Sequence, residues 1–325
     1  MKTLQFTRRQ ALQATALFGT SLLLPINKLQ AMPMPSGKTP GLTPEEIAAI
    51  ESALGKKGSY KEAESVHTTP LPRNDLKITI KGSPIPIPFG FGGWVSFKKS
   101  VDGKSAMVMG DTVLLMEEVN PLISAAQANG LEIGAIHNHF FYEEPRIIYM
   151  HIQGMGSITD LAKRYAATIK DSKLFPANQP APAPPATSGK DNFDLPALDT
   201  IVKYTGTVNG PTYKYTIGRS DLNVMMMGVE MTTNIGLNSW AAFAGKQGDA
   251  QIAGDIAMLA TEVNNVIKAL RQHDLEVVSV HNHMLTDDPH IIFLHYYGRG
   301  PAATLAQGFR AALDELGKKS GEMKM

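Results

Sequence analysis

Nine histidines occur in 325 residues, and six of them recur at matching positions in two stretches, HNHFFYEEPRIIYMHIQGMG at 137–156 and HNHMLTDDPHIIFLHYYGRG at 281–300. Each stretch holds an H-x-H pair and a third histidine twelve residues after the pair: His137, His139 and His151, then His281, His283 and His295. On a strand, the two residues of an H-x-H pair project from one face, with the intervening Asn on the other. If the chain turns about the proline between pair and third histidine, Pro289 or Pro145, then His283 faces His295 and His139 faces His151. His281 and His137 then stand diagonally at about 7–8 Å. Three convergent imidazoles are a site for a divalent transition metal, zinc being the first choice, with a fourth position open to water or substrate. Glu262 and Glu118, each nineteen residues before its H-x-H pair, are the candidates for a further ligand or a general base.

The match extends well beyond the histidines. At an offset of 144, Gly110–Asp111 falls on Gly254–Asp255, Glu118–Val119 on Glu262–Val263 and Pro145 on Pro289. Upstream the offset becomes 146, pairing Trp94 with Trp240 and "RNDL" at 73–76 with "RSDL" at 219–222. A period this long identifies a tandem duplication. The expected domains are repeat 1 at 43–173 and repeat 2 at 197–318, joined by a Pro/Ala-rich linker at 174–196, with a flexible segment at 32–42 and a tail at 319–325.

Within a copy, "LKITIKG" and "GWVSF" read as strands. Asp111 reads as the cap of a helix through "TVLLMEEVNPLISAAQANG", bent or split at Pro121. Two strands carry the histidines, and an amphipathic helix closes the unit. The predicted class is α+β, each copy having a mostly antiparallel sheet packed by helices and a histidine-bearing β-hairpin. Trp94 and Trp240 are expected in the core of each copy, and the Met225–Met227 run likewise. Arg73 with Asp75, and Arg219 with Asp221, read as structural ion pairs. Glu143–Glu144 and Asp287–Asp288 read as solvated turn formers.

The first 31 residues contain Lys2, Arg8, Arg9 and Lys28, no acid, an apolar run from Ala14 to Leu24, and Ala31 as a cleavage position. This is the pattern of an export signal, and "TRRQAL" fits its twin-arginine type. A periplasmic or secreted protein, freed of its signal, is expected. The sequence has no cysteine, so disulfides, thiolate ligands and a lipid at the cleavage site are all excluded, and no stable membrane anchor is expected. Of the 31 basic residues, 27 remain beyond the signal, against 30 acidic ones. That balance argues against nucleic acid as a partner and favours a small-molecule substrate or ligand. The string "HNH" also names a nuclease family, but there the residues are dispersed through a ββα unit.

The paired "GD…EVNP…HNH…P(R/H)II…H" segments, with "RSDL" and "GLNSWAAF", resemble the bacterial LppY/LpqO proteins, a family of unknown function named from lipoproteins. This chain departs from the lipoprotein members in lacking the lipid-acceptor cysteine. The hairpin is more distantly similar to that of acetolactate decarboxylase, a two-domain zinc enzyme, and to a zinc ester hydrolase of the same fold. That likeness implies His281, His283 and His295 as ligands, with His137, His139 and His151 as their counterparts. The expected activity is hydrolysis of an ester or amide first, and decarboxylation or another lyase reaction second. The alternative is a non-catalytic protein that binds metal or a small ligand. The oligomeric state is left open.

Overall fold

A computed structural model of the chain describes residues 38–182 and 187–318, and both copies fall within one compact unit, Gly37–Met325. Residues 1–31, read from sequence as an export signal, and the tail at 319–325 lie outside the described residues. The first copy contains β1 (Ser59–Lys61), β2 (Val66–Pro72), β3 (Ile78–Ile80), β4 (Ser83–Ile85), β5 (Gly92–Lys99), β6 (Ala106–Leu115), β7 (Glu132–His137), β8 (Glu143–Glu144) and β9 (Ile147–Gly156). Its helices are α1 (Pro44–Leu54), α2 (Met116–Ala128) and α3 (Ile158–Ile169). After α4 (Gly189–Asn192) and α5 (Leu195–Val202), the second copy repeats the pattern. Its strands are β10 (Thr207–Asn209), β11 (Thr212–Gly218), β12 (Val224–Met226), β13 (Val229–Met231), β14 (Asn238–Lys246), β15 (Asp249–Leu259), β16 (Glu276–His281), β17 (Asp287–Asp288) and β18 (Ile291–Gly300). Helices α6 (Val263–Gln272) and α7 (Ala302–Leu313) complete it.

Each copy forms a six-stranded antiparallel sheet, in the order β1-β2-β5-β6-β9-β7 or β10-β11-β14-β15-β18-β16, with a three-stranded sheet beside it. The α+β class and the duplication are therefore both present. Alternation along the strands explains the layering. On β15 and β18, Ile252, Ile256, Leu294 and Tyr296 point to one face and pack with Leu305 and Phe309 of α7. The opposite face of both six-stranded sheets contributes to clusters that mix the copies: Val113 and Tyr149 with Ala242 and Tyr297, and Met107 and Met109 with Ala257 and Phe293. The two sheets thus pack face to face with their helices outermost.

Local sequence explains several boundaries. Thr43 caps α1 by accepting from the Glu46 N–H at 3.2 Å, while Glu46 accepts from the Thr43 N–H at 2.7 Å, and Gly55 ends the helix at φ 64°. Asp111 does not cap a helix. It lies within β6, and α2 starts five residues later at Met116. The reason is burial on both faces: with Ala106–Leu114 buried throughout, "MVMGDTVLL" carries no period of two to mark it as a strand. Helix α2 runs on through Pro121 as a single helix. The 174–196 linker is not wholly extended either: it includes a 3₁₀ turn at Pro176–Asn178 and α4, and it buries Leu174 and Phe193.

Candidate metal centre

Strands β9 and β18 carry the third histidine of each triplet, and β6 and β15 place an aspartate directly opposite: Asp111 pairs with His151 and Asp255 with His295. The hairpin register differs from the one centred on proline. His295 faces Ser279, not His283, and His281 faces Phe293, so the pairing is centred on Asp287; in the first copy it is centred on Glu143. His283 and His139 lie just past the ends of β16 and β7. The cause is the connection itself. Asp287–Asp288 and Glu143–Glu144 leave the hairpin to pair with Met226–Met225 of β12 and Ile80–Thr79 of β3. The slip is an even number of residues, so His281 and His295 still share a face.

The largest difference from the sequence reading is that the triplets do not form two separate sites. Across the sheet interface the ring centroids of His137 and His281 lie 3.8 Å apart, those of His139 and His295 3.6 Å, and those of His151 and His283 3.9 Å. These pairings map onto one another when the copies are exchanged, so an approximate two-fold axis passes through a single six-histidine cluster. Each outer pair is backed by an aromatic ring, Tyr149 stacking on His139 at 3.2 Å and Phe293 on His283 at 3.4 Å. Gly134 permits this approach, since a Cβ there would collide with the His283 carbonyl.

Three groups within the cluster have donor atoms that all lie within 4.8 Å of one another: Asp255 with His281, His283 and His295; His137 with His139 and His295; and His137 with His151 and His281. The first brings together all three second-copy histidines and adds Asp255, which the sequence reading missed as a donor. Asp255 Oδ2 stands 3.2 Å from His283 Nε2 and 3.9 Å from His295 Nε2. His137 and His139 present their Nε2 atoms 3.1 Å apart, near the roughly 3.3 Å expected of two nitrogens bound at about 2.0–2.1 Å to one tetrahedral ion. His295 Nδ1 lies 3.0 Å from the Gly254 carbonyl oxygen; donating to it leaves Nε2 as the free lone pair.

Burial holds these rings neutral, the form that binds metal. His137, His139, His151 and His283 are pushed well below the ordinary imidazole value by loss of solvent, then by neighbouring imidazoles; His281 is also lowered, and His295 falls to about 3. Burial, reinforced by Asp255, raises the Asp111 carboxyl well above the carboxylate range. Both nitrogens of His151, His281 and His283, and Oδ1 of Asp111 and Asp255, are buried without a hydrogen-bond partner. Each such atom costs about 1–3 kcal/mol unless something binds it. The donor set therefore fits a divalent transition metal.

The cluster opens on a cavity of about 860 Å³ lined from both copies, including Asp111, His139, Asp255, His283 and His295. Trp94 and Trp240, expected in separate cores, instead stand half-buried in its wall. So does Lys214, whose ammonium lies 4.5 Å above the Trp240 ring; burial lowers it to about 8, against the pull of Asp111.

Glu118 and Glu262 are held away from the clustered donors. Arg219 binds Glu262 through both ends of its guanidinium at 2.8 and 2.9 Å and Asp221 at 2.8 and 2.9 Å, and donates to the Ala257 carbonyl. Arg73 repeats this with Glu118, Asp75 and the Val113 carbonyl. The glutamates also cap their helices, accepting from the N–H groups of Leu115 and Leu259. Glu143 and Asp287 are not solvated turn formers but buried braces, accepting from the N–H groups of Ile147 and Ile291. Of the methionine run, Met226 enters the shared core and Met227 is exposed.

A family model described as Domain of Unknown Function (DUF1259) matches residues 48–171 and again 196–315. No curated protein matches the chain. Among solved structures, the crystal structure of EtuB from Clostridium kluyveri aligns over 70% of this chain and 87% of its own at 9% identity, with a TM-score of 0.18. A likeness of that size carries no inference about fold or function.

Proposed function

This chain belongs to the family of the Domain of Unknown Function (DUF1259), and on that footing we propose that it is an exported metal-dependent enzyme, zinc being the ion its site suits best. The observation that carries this reading is a four-donor set, buried Asp255, His283 and His295 with half-buried His281, opening on a cavity large enough for a small molecule. The other two groups each share a histidine with it, His295 in one case and His281 in the other, so filling the four-donor set leaves neither of them complete. One ion per chain follows. His137, His139 and His151 then act as the neutral wall that keeps the centre dry and fixes its ring positions.

A bound ion of this kind supplies a Lewis acid for a carbonyl oxygen and lowers the pKa of water. The chain's own part is to exclude bulk solvent, orient the substrate against the walls and handle a proton. With Glu118 and Glu262 committed to arginines, the group placed for the proton is Asp111, which lines the cavity with Oδ1 unpartnered. Ester or amide hydrolysis is the first reaction to test, and decarboxylation or another lyase reaction the second; the likenesses to LppY/LpqO proteins and acetolactate decarboxylase do not choose between them. A pure metal carrier has no need of a cavity against its donors, and this favours turnover. Among the described residues no helix is long and apolar enough to cross a membrane. Release into the periplasm or medium after signal removal is part of the proposal, checked by fractionation and N-terminal sequencing.

Elemental analysis of the protein purified without chelator tests the centre. About one ion per chain is expected, lost in His283→Ala and largely kept in His139→Ala. A metal content near zero in the unsubstituted protein sinks the reading.

A further inference from the structure

The cavity is built from two copies of one domain, yet its charge is not symmetric. At the offset of 146 that aligns β2 with β11, Lys214 corresponds to Thr68. Both line the cavity. The Thr68 hydroxyl is used up within the protein, 2.7 Å from Ser96 Oγ and donating to the Asn234 carbonyl at 3.2 Å. Lys214 is different: its ammonium faces the Trp240 ring, and among the described residues no carboxylate forms an ion pair with it at contact distance, Asp111 acting on it only from farther off. The other cation in the lining, Lys77, is exposed. Half-burying an unpaired ammonium is costly unless a ligand meets it, and an aromatic face offsets only part of that cost.

We propose that Lys214 is the anchor for the carboxylate of a small organic acid with an apolar body, which binds between Trp94 and Trp240 with its reactive end toward the histidine cluster. The cavity walls include Pro70, Ile87 and Pro88, which suit hydrocarbon or an aromatic ring. A single ammonium matches one negative charge. A phosphate dianion would need several donors, and among the described residues Lys214 is the one half-buried ammonium in the lining. Because the half-buried cation stands on the second-copy side, an acid is held in one of the two orientations that the near-symmetric cavity would otherwise accept.

The molecule carries its own reporter, since its two tryptophans both line the cavity. Fluorescence titrations with mandelate and the neutral mandelamide, on chelator-stripped and zinc-reloaded full-length protein, measure the preference for the anion. Mandelate should bind at least tenfold more tightly than mandelamide. Lys214→Met should bring the two within about twofold, Lys214→Arg should keep the preference, and Lys77→Met should match the unsubstituted protein. The inference is overturned if neither probe quenches, if the unsubstituted protein does not distinguish them, or if Lys214→Met keeps the full preference with an unchanged melting profile. Metal analysis of the same samples keeps the two readings apart: an anion preference without bound metal supports the lysine anchor while removing the metal centre.

Discussion

Asp255 joins the second-copy histidines because β15 and β18 set it directly opposite His295. Asp255→Asn keeps the shape and removes the charge, and should weaken metal binding by about 10–100-fold in competition against a chromophoric chelator, whereas Asp111→Asn should change it less. The imidazoles make a second prediction, for chelator-treated protein. Their folded pKa values lie below that of the unfolded chain, so between about pH 6.5 and the lowered values the unfolded state binds the extra protons and folding stability falls with falling pH. Each imidazole adds up to about 1.4 kcal/mol per pH unit in that window. Asp111 acts in the opposite sense, being raised, but it is one group against six. Urea midpoints should therefore drop steeply from pH 7 to 5; a flat profile would contradict the buried neutral cluster. The histidines were legible because a repeated spacing is visible in one sequence. Asp111 and Asp255 were not, since a strand buried on both faces hides its alternation.

At the level of elements, the "RNDL" and "RSDL" segments tie the end of one strand to the start of a helix. Arg219 is almost fully buried, and it joins Asp221, Glu262 and the Ala257 carbonyl of β15. Arg219→Met would strand the buried Glu262 carboxylate, and should cost about 3–5 kcal/mol in urea unfolding while leaving metal content per folded chain unchanged. Loss of the ion in a variant that remains folded would instead give Glu262 a direct part in the centre. The ion pairs were readable from sequence. Their glutamate partners were not, because a helical Glu nineteen residues before an H-x-H pair fits a ligand, a base or a clamp equally well. The hairpin register escaped for a related reason: the acids that set its centre pair with β12 and β3, contacts of long sequence separation that a proline position does not report.

For the whole molecule, the decisive relation is between the copies. The internal repeat makes both copies visible in the sequence, but each copy's periodicity describes only its own sheet, and which face meets the other copy is set by apolar residues on strands already buried on both sides. The inner face of the second copy presents Ala242, Ala253, Ala257, Phe293 and Tyr297 toward the first, together with its three histidines. A separated copy must expose that surface, and an exposed apolar face this extensive seeks cover. The approximate two-fold arrangement of the rings supplies a partner, because two identical second copies can meet through nearly the same contacts as the two unlike copies do. Residues 187–318 expressed alone should therefore run as a dimer in light-scattering chromatography. Co-expression with residues 38–182 should replace that dimer with a one-to-one pair that binds one metal ion per pair. The mixed pair should win, because only the first copy supplies Gly134 where the His283 backbone approaches; the second copy has Val278 at the matching position. Gly134→Val in the full chain should accordingly destabilise the interface and lower metal affinity. A stable monomer of 187–318 that binds one ion unaided would mean that the first copy is dispensable to the centre.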